Sequence, residues 1–265
     1  MISVNFTKYH GQGNDYLYIM QNELRADINL NDLAIKMSDR HFGVGSDGIV
    51  ILSNCESADI MMRIYNADGS EAEMCGTALR STAFYISTLL NKKTLSVMTK
   101  SGLKYAIIHP DSVEVDMGQA ISLADYPVEI KTASNTFKGF YISMGNPHFV
   151  INQSLEDKNN LPIWGNQIEN DPYFVNKTNV EFVKIINKNE ICVDIWERGS
   201  GITLACGTGA CASVFALFNA GLLNNDVKVN LPGGIVRVNL DNNMHLRLIG
   251  PVEKVMTGLY YYGGL

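Results

Sequence analysis

Residues 194–217 read DIWERGSGITLACGTGACASVFAL, and residues 63–86 read RIYNADGSEAEMCGTALRSTAFYI. Each stretch carries a cysteine, Cys206 or Cys75, directly before Gly-Thr, where a polar, glycine-rich segment gives way to an apolar run. That transition predicts a helix start, with the cysteine at its edge. The first N–H groups of such a helix have no intrahelical acceptor, so Gly76-Thr77 and Gly207-Thr208 each offer an anion site. The positive end of the helix dipole also favours thiolate over thiol in a cysteine placed there.

The two stretches belong to a longer repeat. Laid on itself, the chain aligns Cys75-Gly76-Thr77 with Cys206-Gly207-Thr208, and at the same offset Ile64-Tyr65 meets Ile195-Trp196 and Phe84 meets Phe215. At nearly that offset Gly13-Asn14 meets Gly145-Asn146. Several features matching in one order point to two homologous halves. The division is expected near Met117-Gly118, giving halves 1–117 and 118–251, with 252–265 as a terminal strand completing the first half. Most of the remaining chain reads as β-branched or alternating strands punctuated by Asn, Gly, Asp and Pro. Helices are expected at 31–40, capped by Asn29 or Asn31, at 76–90 and at 207–217. Strands outnumber helices without strict βα alternation, so the fold class is α+β, each half wrapping strands around a buried central helix.

Composition narrows the function classes. The chain has 265 residues, a net charge of −6 and 46% hydrophobic residues, which fits a globular protein and disfavours a nucleic-acid surface. The apolar segment 202–223 is interrupted by glycine and threonine at its start and reads as a short buried helix, not a membrane span. The N-terminus lacks the pattern of a signal peptide, so a cytoplasmic setting with reduced thiols is expected. Five cysteines and five histidines show no metal-ligand spacing, and neither a metal nor a cofactor is expected. The run Gly43-Val-Gly-Ser-Asp-Gly48 satisfies a dinucleotide fingerprint only formally, because a helix precedes it and a strand follows.

Six motifs now carry a family resemblance: HGQGND at 10–15, HFGVGSDGI at 41–49, YNADGSEAEMCG at 65–76, MGNPHFV at 144–150, TNVEFV at 178–183 and WERGSGITLACGTGACA at 196–212. In this order they span nearly the whole chain, and together they resemble the diaminopimelate epimerases. The resemblance implies a cofactor-independent isomerase that interconverts LL- and meso-2,6-diaminopimelate for lysine and peptidoglycan synthesis, acting as a homodimer. It implies that Cys75 and Cys206 are the acid and base, that His148 and Glu197 modulate their pKa values, and that Asn14, Asn66, Asn146, Asn179, Glu197 and Arg198 contact the substrate. It further implies that Gly76, Thr77, Gly207 and Thr208 hold the reacting carboxylate through backbone N–H groups.

The chain departs from the family pattern at three places. Thr77-Ala78-Leu79 stands where Asn-Gly-X is usual, Ile202 where glutamate is common, and Met256 where a tyrosine associated with dimerisation is found. A racemase of another amino acid, for example histidine, therefore stays open. So do two readings of other classes: a cysteine hydrolase pairing Cys206 with His148, which leaves the Cys75 motif unexplained, and a non-catalytic amino-acid-binding module. Cys55, Cys192 and Cys211 read as small buried hydrophobes.

Overall fold

The structure is a computed structural model and describes residues 2–133 and 135–263. The chain divides into two compact units, Met1–Val115 with Gly250–Leu265, and Asp116–Ile249.

In the first unit, β1 (Ile2–Gly11) and β2 (Asn14–Met20) form an antiparallel hairpin. Its two turn residues, Gln12 and Gly13, both have positive φ (54° and 83°), the primed turn whose twist suits a two-residue hairpin. The tightness of this turn puts Asn14 at the first position of β2. Helix α1 (Leu30–Ser38) follows, its first turn capped by Asn29, whose side-chain oxygen accepts from Asn31 and Asp32 N–H. Next come β3 (Gly48–Cys55), parallel to β2, and β4 (Ala58–Asn66), antiparallel to β3. The short β5 (Glu71–Ala72) lies on β4 and leads into α2 (Gly76–Leu90). Beyond it run β6 (Thr94–Thr99), parallel to β4, then β7 (Gly102–Ile108) and β8 (Val113–Gln119) as an antiparallel meander. The C-terminal strand, Glu253–Tyr262, returns to pair antiparallel with β1.

The second unit repeats this order. After β9 (Ile121–Ser122) and β10 (Val128–Lys131), strands β11 (Thr136–Ser143) and β12 (Pro147–Ile151) are antiparallel, and α3 (Leu161–Glu169) crosses over to β13 (Asn179–Asn187), parallel to β12. Strand β14 (Glu190–Glu197) is antiparallel to β13 and carries β15 (Gly201–Ile202). Helix α4 (Gly207–Asn219) then crosses over to β16 (Asp226–Leu231), parallel to β14, followed by β17 (Gly234–Leu240) and β18 (His245–Gly250).

This pairing gives the physical reason for the two cysteine-bearing helices. Parallel neighbours need a crossover, and α2 and α4 are the crossovers from β4 to β6 and from β14 to β16. Each therefore lies against strands of its own unit: residues 76–83 of α2 and 208–217 of α4 are all buried. Side chains such as Leu79, Val214 and Leu217 contribute about 1.5–3 kcal/mol each through that burial. The fold is α+β, with strands around a central helix in each unit.

Helix α3 was not among the helices expected from sequence. It is only nine residues long, with Pro162 in its first turn and Gly165 inside it. The proline is tolerated there because its missing N–H would be unpaired in any case. Gly165 is demanded by packing, since a Cβ at this position would lie 2.5 Å from the Trp196 ring.

Candidate active site

In the first unit Cys75 is the N-cap of α2, with extended backbone (φ −140°, ψ 125°), and its carbonyl accepts the first helical bond, from Leu79 N–H at 2.8 Å. Its thiol donates to Asn14 Oδ1 at 3.5 Å. The Asn14 amide is held from behind, its Nδ2 donating to Asp47 Oδ2 at 2.8 Å. Asp47 Oδ2 also accepts from Asp15 N–H, and Arg40 bridges the Asp15 and Asp47 carboxylates at 2.8 and 2.9 Å. Lys8 Nζ completes the network, 2.7 Å from Asp15.

The two carboxylates of this network are pushed in opposite directions. Burial would raise Asp15, but hydrogen bonds and charge from Arg40 and Lys8 outweigh it and hold Asp15 below the usual carboxylate range. Asp47 is raised, chiefly by burial and also by the neighbouring Asp15 charge. The glycine-rich run 43–48 thus serves to place Asp47 behind Asn14, where sequence reading assigned it no role.

Gly76 and Thr77 are buried at the start of α2. Arg80, one turn further, is buried and donates to Gln12 Oε1 at 2.6 Å, tying the helix to the β1–β2 turn. Asn66, half-buried at the end of β4, donates its side-chain amide to Ser70 Oγ at 3.0 Å.

In the second unit Cys206 is the N-cap of α4 (φ −131°, ψ 113°) and is 7% exposed. Its sulfur accepts from Gly209 N–H at 3.3 Å and lies 3.3 Å from Thr208 Oγ1. Asn146 Nδ2 donates to Thr208 Oγ1 at 3.5 Å, and Asn146 Oδ1 is hydrogen-bonded to His148 Nε2 at 3.0 Å. On the other side of the ring, His148 Nδ1 is 2.6 Å from Glu181 Oε1, and both of these side chains are fully buried. Glu181 belongs to the TNVEFV motif, and the family resemblance implies no role for it.

A place at a helix start predicts a Cys206 shifted toward thiolate, and the structure corrects that. Burial pushes the thiol well above its ordinary value, and the Glu197 and Glu181 carboxylates push it further up. The hydrogen bonds from Thr208 and Gly209 oppose this and do not offset it. The helix terminus supplies a partial charge, whereas desolvation and two full negative charges act against the thiolate.

Glu197 accepts from Thr203 Oγ1 at 2.6 Å. Asn179 uses both ends of its amide locally: Nδ2 donates to the Pro147 carbonyl, and Oδ1 accepts from Arg198 N–H. Arg198 reaches the Asn176 carbonyl through Nη1. A further buried carboxylate, Glu169 at the end of α3, accepts from Trp196 Nε1 and Gly199 N–H at 2.7 and 3.0 Å, bracketing Glu197-Arg198. No sequence signal pointed to it, because it lies in the unexpected helix. Among the described residues no group of three or more His, Cys, Asp or Glu is arranged to hold a metal ion, and no helix is long and apolar enough to cross a membrane.

Comparison with known proteins adds a second line of observation. Solved structures of a hydroxyproline epimerase from Agrobacterium vitis (TM-score 0.72, 12% identity, 98% of this chain and 92% of that one) and of a phenazine biosynthesis protein of the PhzF family from Bacillus anthracis (TM-score 0.71, 15% identity, 98% and 99%) share the fold. At the sequence level the chain is 41% identical to the diaminopimelate epimerase of Halothermothrix orenii over 97% of this chain and 98% of that one. It is 43% identical to the diaminopimelate epimerase of Carboxydothermus hydrogenoformans over 97% and 100%. The family model described as diaminopimelate epimerase matches residues 6–123 and 140–262, which takes in both cysteine-capped helices. With most of its length matched in this way, the chain belongs to the diaminopimelate epimerase family.

Proposed function

We propose that this protein epimerises diaminopimelate, interconverting the LL and meso forms, with Cys75 and Cys206 as the two proton-transfer groups. The observation that carries the reading is the duplicated placement: in each unit the crossover helix begins at a cysteine, in a chain of this family. An amino-acid α-proton is weakly acidic, so the developing carbanion needs electrostatic stabilisation through its own carboxylate. The helix-start N–H groups of Gly76-Thr77 and Gly207-Thr208 supply it in this reading. One sulfur removes the α-proton as thiolate while the other returns a proton as thiol on the opposite face. Cys206, held toward the thiol by burial and two carboxylates, suits the donor role in the resting enzyme. Asn14, Asn66, Asn146, Asn179, Glu197 and Arg198 take the substrate's remaining polar groups, and His148 with Glu197 tunes the thiols.

The reading extends to a cytoplasmic homodimer without a cofactor. Leu259 and Tyr261, alternate residues of the C-terminal strand, are exposed on one face of it and offer an apolar patch for a second copy. Sedimentation of the purified protein tests that part. The activity is tested by incubation with LL- or meso-diaminopimelate in deuterium oxide, with no added cofactor. Deuterium at the α-carbon together with interconversion of the isomers is the expected result. Exchange of a different amino acid only, or turnover that depends on added pyridoxal phosphate, overturns the proposal.

A further inference from the structure

Glu181 is the third residue of β13, among Val180, Phe182 and Val183, and is fully buried, where an ionisable group is costly unless its partners compensate. The fold does not require a carboxylate at that place. In the first unit Val50 holds the equivalent register, paired with Tyr18 on β2 as Glu181 is paired with Val150 on β12. A second difference accompanies the first. The residue three beyond the cysteine is Ala78 in α2 but Gly209 in α4, and a Cβ on Gly209 would lie 2.6 Å from Glu181 Oε1. The carboxylate and the bare backbone therefore occur together, in one unit only. One carboxylate oxygen, Oε1, is bound to His148, while the other, Oε2, is buried without a hydrogen-bond partner.

We infer that Glu181 is a positioning residue for Cys206, acting through the His148–Asn146–Thr208 side chains and through close packing against Gly209. By holding Nδ1 of His148, the carboxylate turns Nε2 toward Asn146 Oδ1, which in turn directs the Asn146 amide nitrogen at Thr208 Oγ1 beside the sulfur. By packing against Gly209, it sets the backbone N–H that the same sulfur accepts. Both contacts that aim the Cys206 sulfur thus run back to one side chain. Proton transfer depends steeply on such alignment. The negative charge near Gly209 is also one of the causes that hold Cys206 toward the thiol. The inference rests on the assignment of Cys206 as a proton-transfer group.

The test compares the parent with Glu181→Gln, which keeps shape and removes charge, and with Gly209→Ala, which leaves Glu181 intact and displaces its carboxylate. For each, kcat, KM and α-deuterium exchange are measured, along with the rate of Cys206 alkylation by iodoacetamide at mildly alkaline pH, read by peptide mass spectrometry with Cys75 as internal reference. Both variants should lose kcat by roughly 10²-fold at nearly unchanged KM. In Glu181→Gln the Cys206 alkylation rate should rise several-fold while that of Cys75 stays constant. A double variant of Glu181→Gln with His148→Gln should be little worse than either single change, because the residues act in series. An unchanged kcat, a rise confined to KM, losses that multiply in the double variant, or an unchanged Cys206 alkylation rate each overturns the inference. If the parent itself fails to exchange the α-proton, the epimerase reading falls, and the alkylation rates still decide whether Glu181 acts on Cys206. If Glu181→Gln does not fold, Gly209→Ala carries the kinetic test alone, and parent-like kcat in it overturns the inference.

Discussion

The environments of the two cysteines differ although their backbones are repeats. Around Cys75 the supporting groups are charged but partly exposed: Asp47 behind Asn14, with Arg40 and Lys8 closing a network of two carboxylates and two cations. Around Cys206 the support is a fully buried His148–Glu181 pair, and the cysteine itself is almost fully buried. The two units also differ one helix earlier. Where α1 ends in Ser38, hydrogen-bonded to the Ser46 hydroxyl, α3 ends in Glu169, clamped on Trp196 and Gly199. A duplicated backbone therefore does not imply duplicated electrostatics, and two like residues can be tuned for unlike tasks by what stands behind them.

The largest effect that would sharpen this comparison comes from the sulfurs themselves. Cys75→Ser and Cys206→Ser should each lower epimerisation by roughly 10²- to 10⁴-fold, the effect of removing a positioned acid or base. Serine is nearly isosteric at a helix start, so unfolding midpoints should barely move. Near-parental turnover of one serine variant would break the two-base symmetry, and the retained cysteine would then be the sole reacting group.

Next comes the clamp found only in the second unit. Glu169→Ala strands the Trp196 indole N–H and the Gly199 N–H, at a cost of about 2–3 kcal/mol in stability. It should also raise KM by loosening the loop that carries Arg198. Urea unfolding together with steady-state kinetics reads both, and a stable variant with parental KM would show that Glu169 does not organise that loop.

Within the charge network of the first unit, Asp15 has a pH signature of defined sign. Asp15 in the folded protein is held below its unfolded value of about 3.9, so its contribution is complete above that pH and is lost as pH falls through the lower folded pKa. Asp15→Asn should therefore cost about 2 kcal/mol near neutrality, with the gap to the parent closing below about pH 4. A gap that stayed constant through the acid range would mean that the network contributes packing, not charge.

The smallest expected effect is at the helix starts. Ala78→Gly should cost only about 0.5–1 kcal/mol through backbone entropy and leave turnover close to parental, because Val50 and not a carboxylate holds the equivalent register. A turnover loss as large as that expected of Gly209→Ala would erase the distinction between the two helix starts.

Much of this protein was legible in its sequence. The Cys-Gly-Thr repeat, the apolar runs behind it and the strand periodicity established an α+β fold with a buried helix after each cysteine, because helix starts and burial patterns are local properties of the chain. The extent of α2 agrees with the expected 76–90, whereas α4 runs two residues beyond the expected 217, within the usual fraying of helix ends. Helix α3 escaped because its proline and glycine are breakers by propensity and become acceptable only through the first-turn position and the Trp196 packing.

What only the tertiary structure decided is the chemistry behind each sulfur. A sequence shows that cysteines stand at helix starts, but a thiol's proton affinity is set by desolvation and by charges brought in from distant strands. Glu181 from β13 lies 25 residues upstream of Cys206 in the chain and reaches it only once the sheet has formed, whereas Glu197, nine residues upstream, was already legible within the second cysteine motif. Asp47 likewise meets Asn14 across 33 residues of sequence. Local pattern determined where the two cysteines stand, whereas long-range packing raised the proton affinity of Cys206, because burial and Coulomb interaction depend on distance through space and not along the chain.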